Sequence, residues 1–96
     1  MYRLIFTSPY LKQYHSLTRK DLKLREKVAM TLDKLSINPF DRNLRSHKVG
    51  TRRYGIKWSS RVTGDLRIIW DFEAENRMVV LLLDIGGHGG KKKVYR

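Results

Sequence analysis

The chain has 96 residues, 41% of them hydrophobic, and no cysteine, which fits one small domain with one core. The absence of cysteine excludes disulfides, thiolate zinc sites and a cysteine nucleophile. Lysine and arginine number 21 against 9 aspartates and glutamates, a formal net charge of +12, and a charge this large on so small a domain calls for a polyanionic partner.

Nucleic acid is the leading polyanion; an anionic membrane surface or an acidic protein would meet the same charge. The N-terminus lacks signal-peptide architecture. The longest apolar stretch, "MVVLLL" from Met78 to Leu83, falls far short of the ~20 residues a membrane span needs. A cytoplasmic protein that does not engage a membrane is the expectation.

In chain order, "YRLIFT" (Tyr2 to Thr7) predicts a strand with Leu4 and Phe6 on one face. "SPYLKQYHSL" predicts a helix with Ser8 as N-cap and Pro9 at the first helical position. "RKDLKLREKVAMTLDKLSINP" is the clearest helix, with a stripe through Leu22, Arg25, Ala29, Leu32 and Leu35 and with Val28 beside it. Asn38-Pro39 stops it. Two helices so closely joined should form a hairpin.

"NPFDRNLRSHKVGTRR" reads as a polar connection. In "YGIKWSS", alternation sets Tyr54, Ile56 and Trp58 on one face, with Gly55 and Lys57 on the other. After a turn at Thr63-Gly64-Asp65, Leu66, Ile68 and Trp70 alternate with Arg67, Ile69 and Asp71. "RMVVLLLDI" is a nearly all-apolar strand suited to the interior of a sheet. The fold class is α+β in the order β-α-α-β-β-β: an N-terminal strand, a helical hairpin, then an antiparallel twisted sheet, all in one domain spanning 1–96.

The same alternation sends Lys57 and Arg67 to the face opposite Trp58 and Trp70. The closing "DIGGHGGKKKVYR" leads from the sheet's end through His88 to Lys91, Lys92, Lys93 and Tyr95, with "KKKVYR" able to return as a short edge strand. These side chains are expected to converge on one basic surface, and the glycines around His88 allow close backbone approach to a ligand.

Such a group suits RNA phosphodiester cleavage by the ribose 2′-hydroxyl. That reaction needs a base, cations for the dianionic transition state and an acid for the leaving 5′-oxygen. Lysine and arginine can supply the charge without a metal, and a lysine crowded by other cations can act as the base. His88 titrates near neutrality, and Tyr95 can donate a proton or stack on a nucleobase. Trp58 and Trp70 read as core. His15 on a helix and His47 in a loop have no ligand spacing, so no metal or other cofactor is expected. No Ser-His-Asp spacing or phosphate-loop motif appears.

Taken together, "YGIKWSSRVTGDLRIIWDF", "VVLLLDIGGH" and the closing "KKKVYR", in that order in a small basic chain, resemble the RelE/ParE superfamily of bacterial type II toxin–antitoxin toxins, above all its RelE-like messenger-RNA endoribonucleases. The resemblance covers nearly the whole chain. It implies a toxin that cleaves messenger RNA, many relatives doing so in the ribosomal A site, and so inhibits translation.

Carried over by position, it implies a catalytic set of Lys57, Arg67, His88 and Tyr95. Arg52, Arg53, Arg61, Lys91, Lys92 and Lys93 are expected to bind RNA. One subgroup has a second lysine two residues before Lys57, where this chain has Gly55. The implied partners are messenger RNA, the ribosome with its RNA, and a cognate antitoxin with an acidic, partly disordered segment. The alternatives are a ParE-like inhibitor of DNA gyrase and a non-catalytic basic RNA-binding module.

Overall fold

The computed structural model describes residues 1–87. Strand β1 (Arg3–Phe6) leads into helices α1 (Ser8–Thr18) and α2 (Leu22–Ile37). A 3-10 turn at Arg42–Leu44 precedes strands β2 (His47–Thr51), β3 (Gly55–Arg61), β4 (Leu66–Glu73) and β5 (Asn76–Gly87). The strands form one five-stranded sheet in the order β1-β5-β4-β3-β2. β1 runs parallel to β5 and every other neighbour is antiparallel. The expected α+β plan therefore holds, with β5 interior to a mixed sheet.

One element is new. The segment read as a polar connection contains β2, paired with β3 from His47↔Ser59 to Thr51↔Gly55. Its residues, HKVGT, offer only one strongly strand-forming apolar side chain. The open edge of β3 recruits them, because its backbone donors and acceptors need partners.

The helices are fixed by side-chain caps. Thr7, one residue before the expected cap, accepts from the Tyr10 N–H through Oγ1 at 3.4 Å, and its hydroxyl donates to the Leu82 carbonyl at 2.6 Å. That second bond ties the start of α1 to β5. Asp21 caps α2 by accepting from the Leu24 N–H at 3.0 Å. Arg25 closes the interhelical turn, its Nε donating to the Thr18 carbonyl at 3.1 Å. The buried stripe of α2 runs through Val28, Thr31 and Leu35, with Leu24 and Leu32 packed beside it. The expected stripe is thus rotated, and Leu22 is 71% exposed.

The core lies between the helices and one sheet face. It gathers Tyr10, Val28, Leu35, Leu44, Ile68, Trp70, Val80, Leu82 and Ile85. Trp58 stacks on Trp70 with ring centroids 5.8 Å apart, and Phe40 meets Trp58 edge-on at 4.9 Å. Trp70 is a core residue, as the sequence suggested, and the partly buried Trp58 packs against the core. The buried Trp70 indole N–H donates to Ser60 Oγ at 2.7 Å. Ser60 lies 2.6 Å from Ser46 Oγ, whose own hydroxyl donates to the Pro39 carbonyl at 2.6 Å. Ser46 has one proton and spends it on Pro39, so Ser60 must be the donor to Ser46.

Candidate active site on the open sheet face

Register decides which side chains share the face away from the helices. Residues paired across strands point the same way, and three cross-strand rows result. One carries Arg61, Arg67 and Gly86; the next carries His47, Ser59, Ile69 and Asp84. The third holds Lys57 and Asp71, which flank the Trp58–Trp70 pair on the other side of the strands. Lys57 and Arg67 therefore do share the open face.

Their environments differ. Lys57 Nζ donates to Asp71 Oδ2 at 3.1 Å, both side chains being 29% exposed. Its partner among the described residues is a carboxylate, which suits an orienting cation better than a base. Arg67 donates through one terminal nitrogen to the Thr63 carbonyl at 3.0 Å. Its Nε is buried and has no hydrogen-bond partner among the described residues. The anchoring turn is itself fixed: Thr63 Oγ1 accepts from the Leu66 N–H at 3.0 Å, and the Val62 N–H donates to the Leu66 carbonyl at 2.9 Å. A guanidinium held on one side with a free Nε edge is a preorganised phosphate donor.

Arg61 stands opposite Arg67. Its guanidinium lies over the same turn, where a Cβ placed on Gly64 would meet it at 3.9 Å. Arg52 and Arg53 occupy the β2–β3 turn, and the Arg53 guanidinium lies 5.6 Å above the Tyr54 ring. His88, Lys91, Lys92, Lys93 and Tyr95 lie outside the described residues.

The sequence reading missed three features. His47 belongs to β2, where it pairs with Ser59 on the open face; its Nδ1 sits 2.8 Å from the Arg45 carbonyl. Tyr54 was expected beside Trp58, yet its hydroxyl is buried and near enough to Asp84 for the carboxylate to raise its pKa, after the larger effect of burial. Gly55 explains this: at φ +78° it breaks the alternation and turns the chain between Tyr54 and β3. Asp84 is the third, a half-buried carboxylate whose pKa is raised by burial and partly restrained by the Ile85 N–H and by Arg53. Its only sequence signal was an acid inside an apolar run.

Among the described residues no cluster of three or more histidines, cysteines or carboxylates is placed to hold a metal ion. None of the helices among them is long and apolar enough to cross a membrane.

No family model matches the chain, and no curated protein matches its sequence. Solved structures do match. The YoeB/ParE toxin from Agrobacterium tumefaciens superposes with a TM-score of 0.72 at 17% identity, over 91% of this chain and 99% of that one. YoeB from the Staphylococcus aureus YoeB–YefM complex gives 0.68 at 13% identity, over 93% and 99%. YafQ from E. coli gives 0.67 at 15% identity, over 91% and 93%. The fold that the sequence resemblance implied is the fold this chain has: that of the RelE/ParE-type toxins.

Proposed function

We propose that the chain is the toxin of a type II toxin–antitoxin system and acts as an endoribonuclease on messenger RNA, on the ribosome, inhibiting translation. The observation that carries this reading is Arg67. It is held by the Thr63 carbonyl on the open face, keeps a buried Nε without a partner among the described residues, and faces a second arginine. The toxin fold and the net charge of +12 support it.

In this reading the 2′-hydroxyl of one nucleotide attacks the adjacent phosphate, with no metal taking part. Arg67 binds the phosphate oxygens and stabilises the charge that grows on them. Lys57, oriented by Asp71, adds a second cation to the same face. His88 and Tyr95 complete the proposed catalytic set. Arg52, Arg53, Arg61, Lys91, Lys92 and Lys93 hold the RNA backbone.

The partner that restrains the toxin is an antitoxin with an acidic, partly disordered segment able to cover the basic face. YoeB–YefM from S. aureus, of the same toxin fold, is a toxin–antitoxin complex. The experiment is primer extension on a message translated in a purified system, beside the same RNA without ribosomes. Cuts confined to the translated message support the full reading; cuts in both keep the nuclease and remove the ribosome from it. If neither RNA is cut, the nuclease reading fails, and a gyrase assay then tests the ParE-like alternative.

A further inference from the structure

Strand β5 contains an irregularity that decides where one carboxylate points. Val80, Leu82 and Ile85 are all buried in the core. Alternation continued from Leu82 would drive Asp84 into that core and turn Ile85 out. The register prevents this: Trp70 pairs with Leu82 and Ile69 with Asp84, leaving Leu83 as an extra residue in β5. The bulge reverses the phase, returns Ile85 to the core and sends Asp84 to the open face. Bulges interrupt a ladder and commonly re-aim a side chain at a site of function.

The carboxylate so placed is poorly compensated. Oδ1 accepts from the Ile85 N–H at 2.9 Å, and Oδ2 has no hydrogen-bond partner among the described residues. Arg67 occupies the next open-face position on the neighbouring strand, a diagonal relationship of about 7–8 Å that long side chains can span. Arg53 and Tyr54 approach from the β2–β3 turn. Among the described residues, His47 on β2, Lys57 and Arg61 on β3 and Asp71 on β4 are further charged or titratable groups of this face.

We infer that Asp84 is a catalytic residue of the proposed ribonuclease: its free carboxylate oxygen takes the proton of the attacking 2′-hydroxyl while Arg67, diagonal to it, holds the phosphate. This inference rests on the RNA-cleavage reading. The proton passes from O2′ to Asp84, the O2′–P bond forms and the P–O5′ bond breaks. The leaving O5′ takes a proton from solvent. The products are a 2′,3′-cyclic phosphate and a free 5′-hydroxyl, and Asp84 then returns its proton to water. Lys57, already donating to Asp71, acts as a cation in this scheme.

The test compares wild type with Asp84→Asn and Asp84→Glu in single-turnover cleavage of an RNA that wild type cuts, over a range of pH, with RNA binding and thermal unfolding measured alongside. Asp84→Asn is expected to bind RNA at least as tightly and to lose cleavage by about 10²–10⁴-fold, the usual contribution of a positioned base. Wild type should gain rate with pH on the acid side, and Asp84→Asn should lack that rise. Asp84→Glu, which keeps a carboxylate, should retain more activity than Asp84→Asn.

Unfolding gives a second readout. Burial raises the Asp84 pKa, so the folded state gives up stability as the pH rises through that value. Asp84→Asn should therefore melt higher than wild type at neutral pH, with the gap closing as the pH falls toward the ordinary carboxyl value of 3.8. An Asp84→Asn protein that cleaves as fast as wild type with the same pH profile overturns the inference and leaves the ribonuclease reading standing. Joint loss of stability and activity overturns it too, by making Asp84 structural. Wild type that cuts neither translated nor free RNA overturns the ribonuclease reading and this inference with it.

Discussion

Arg61 stands directly opposite Arg67 across the β3–β4 ladder. Like charges so placed repel, and among the described residues neither arginine forms a salt bridge, the Asp71 carboxylate being taken by Lys57. An anion bound between the two guanidiniums turns the repulsion into a two-sided clamp. Arg67→Ala should therefore lower cleavage by about 10²–10³-fold, the usual effect of removing one transition-state donor. Its stability should stay within about 0.5 kcal/mol of wild type. Arg67→Lys keeps the charge and loses the fork, so it should rescue RNA binding more than rate. Parallel filter binding and single-turnover kinetics separate the two effects.

The Lys57–Asp71 pair separates stability from function in the same way. It is partly exposed, and such pairs contribute at most about 1 kcal/mol. Lys57→Ala and Asp71→Asn should each shift the urea midpoint only slightly. Cleavage should fall much further for Lys57→Ala than for Asp71→Asn, because the second leaves the cation in place. Equal activity losses would make the pair the working unit.

The serine relay beneath the tryptophans is a matter of stability alone. Ser60 accepts from the Trp70 indole and donates to Ser46. Ser60→Ala strands a buried indole N–H and one serine acceptor, a loss of about 1–3 kcal/mol. For a domain of this size each kcal/mol lowers Tm by roughly 4–8 °C. Differential scanning calorimetry checks it, with RNA binding expected to stay unchanged.

Tyr10 gives the opposite sign. Its hydroxyl is buried without a hydrogen-bond partner among the described residues, and burial, with a smaller effect from Tyr14, raises its pKa far above the ordinary 10.0. A phenol whose folded pKa is raised contributes stability below its unfolded value and loses it as the pH climbs. Wild type should lose stability once the pH passes about 10, where the unfolded phenol ionises. Tyr10→Phe should remove part of that loss and unfold at the same or a higher temperature at neutral pH. Melting curves at neutral and alkaline pH decide it.

How far the sequence could be read follows from where a pattern carries phase. Arg67 and Asp71 share one parity, opposite Leu66, Ile68 and Trp70, so the outward face of Arg67 was legible. In Val79–Leu83 every residue is apolar, and an unbroken apolar run has no parity from which to infer the bulge that turns Asp84 outward. β2 was hidden because only one of its five residues, Val49, is an apolar strand former, and the edge of β3 recruits the rest. Gly55 reversed the side on which Tyr54 lies, since a positive φ resets the alternation at that point. The cap of α1 moved by one residue, from Ser8 to Thr7, because Thr7 can also bond to β5.

The most direct test of the central claim is primer extension on a message being translated in a purified system with added wild type or Arg67→Ala protein. The account predicts discrete cuts within translated codons for wild type, their near disappearance with Arg67→Ala, and fewer cuts as salt is raised. The binding constant behind that loss should fall with a log-slope of roughly 0.7–0.9 per phosphate neutralised. Translation that continues on an intact message in the presence of folded wild-type protein would contradict it.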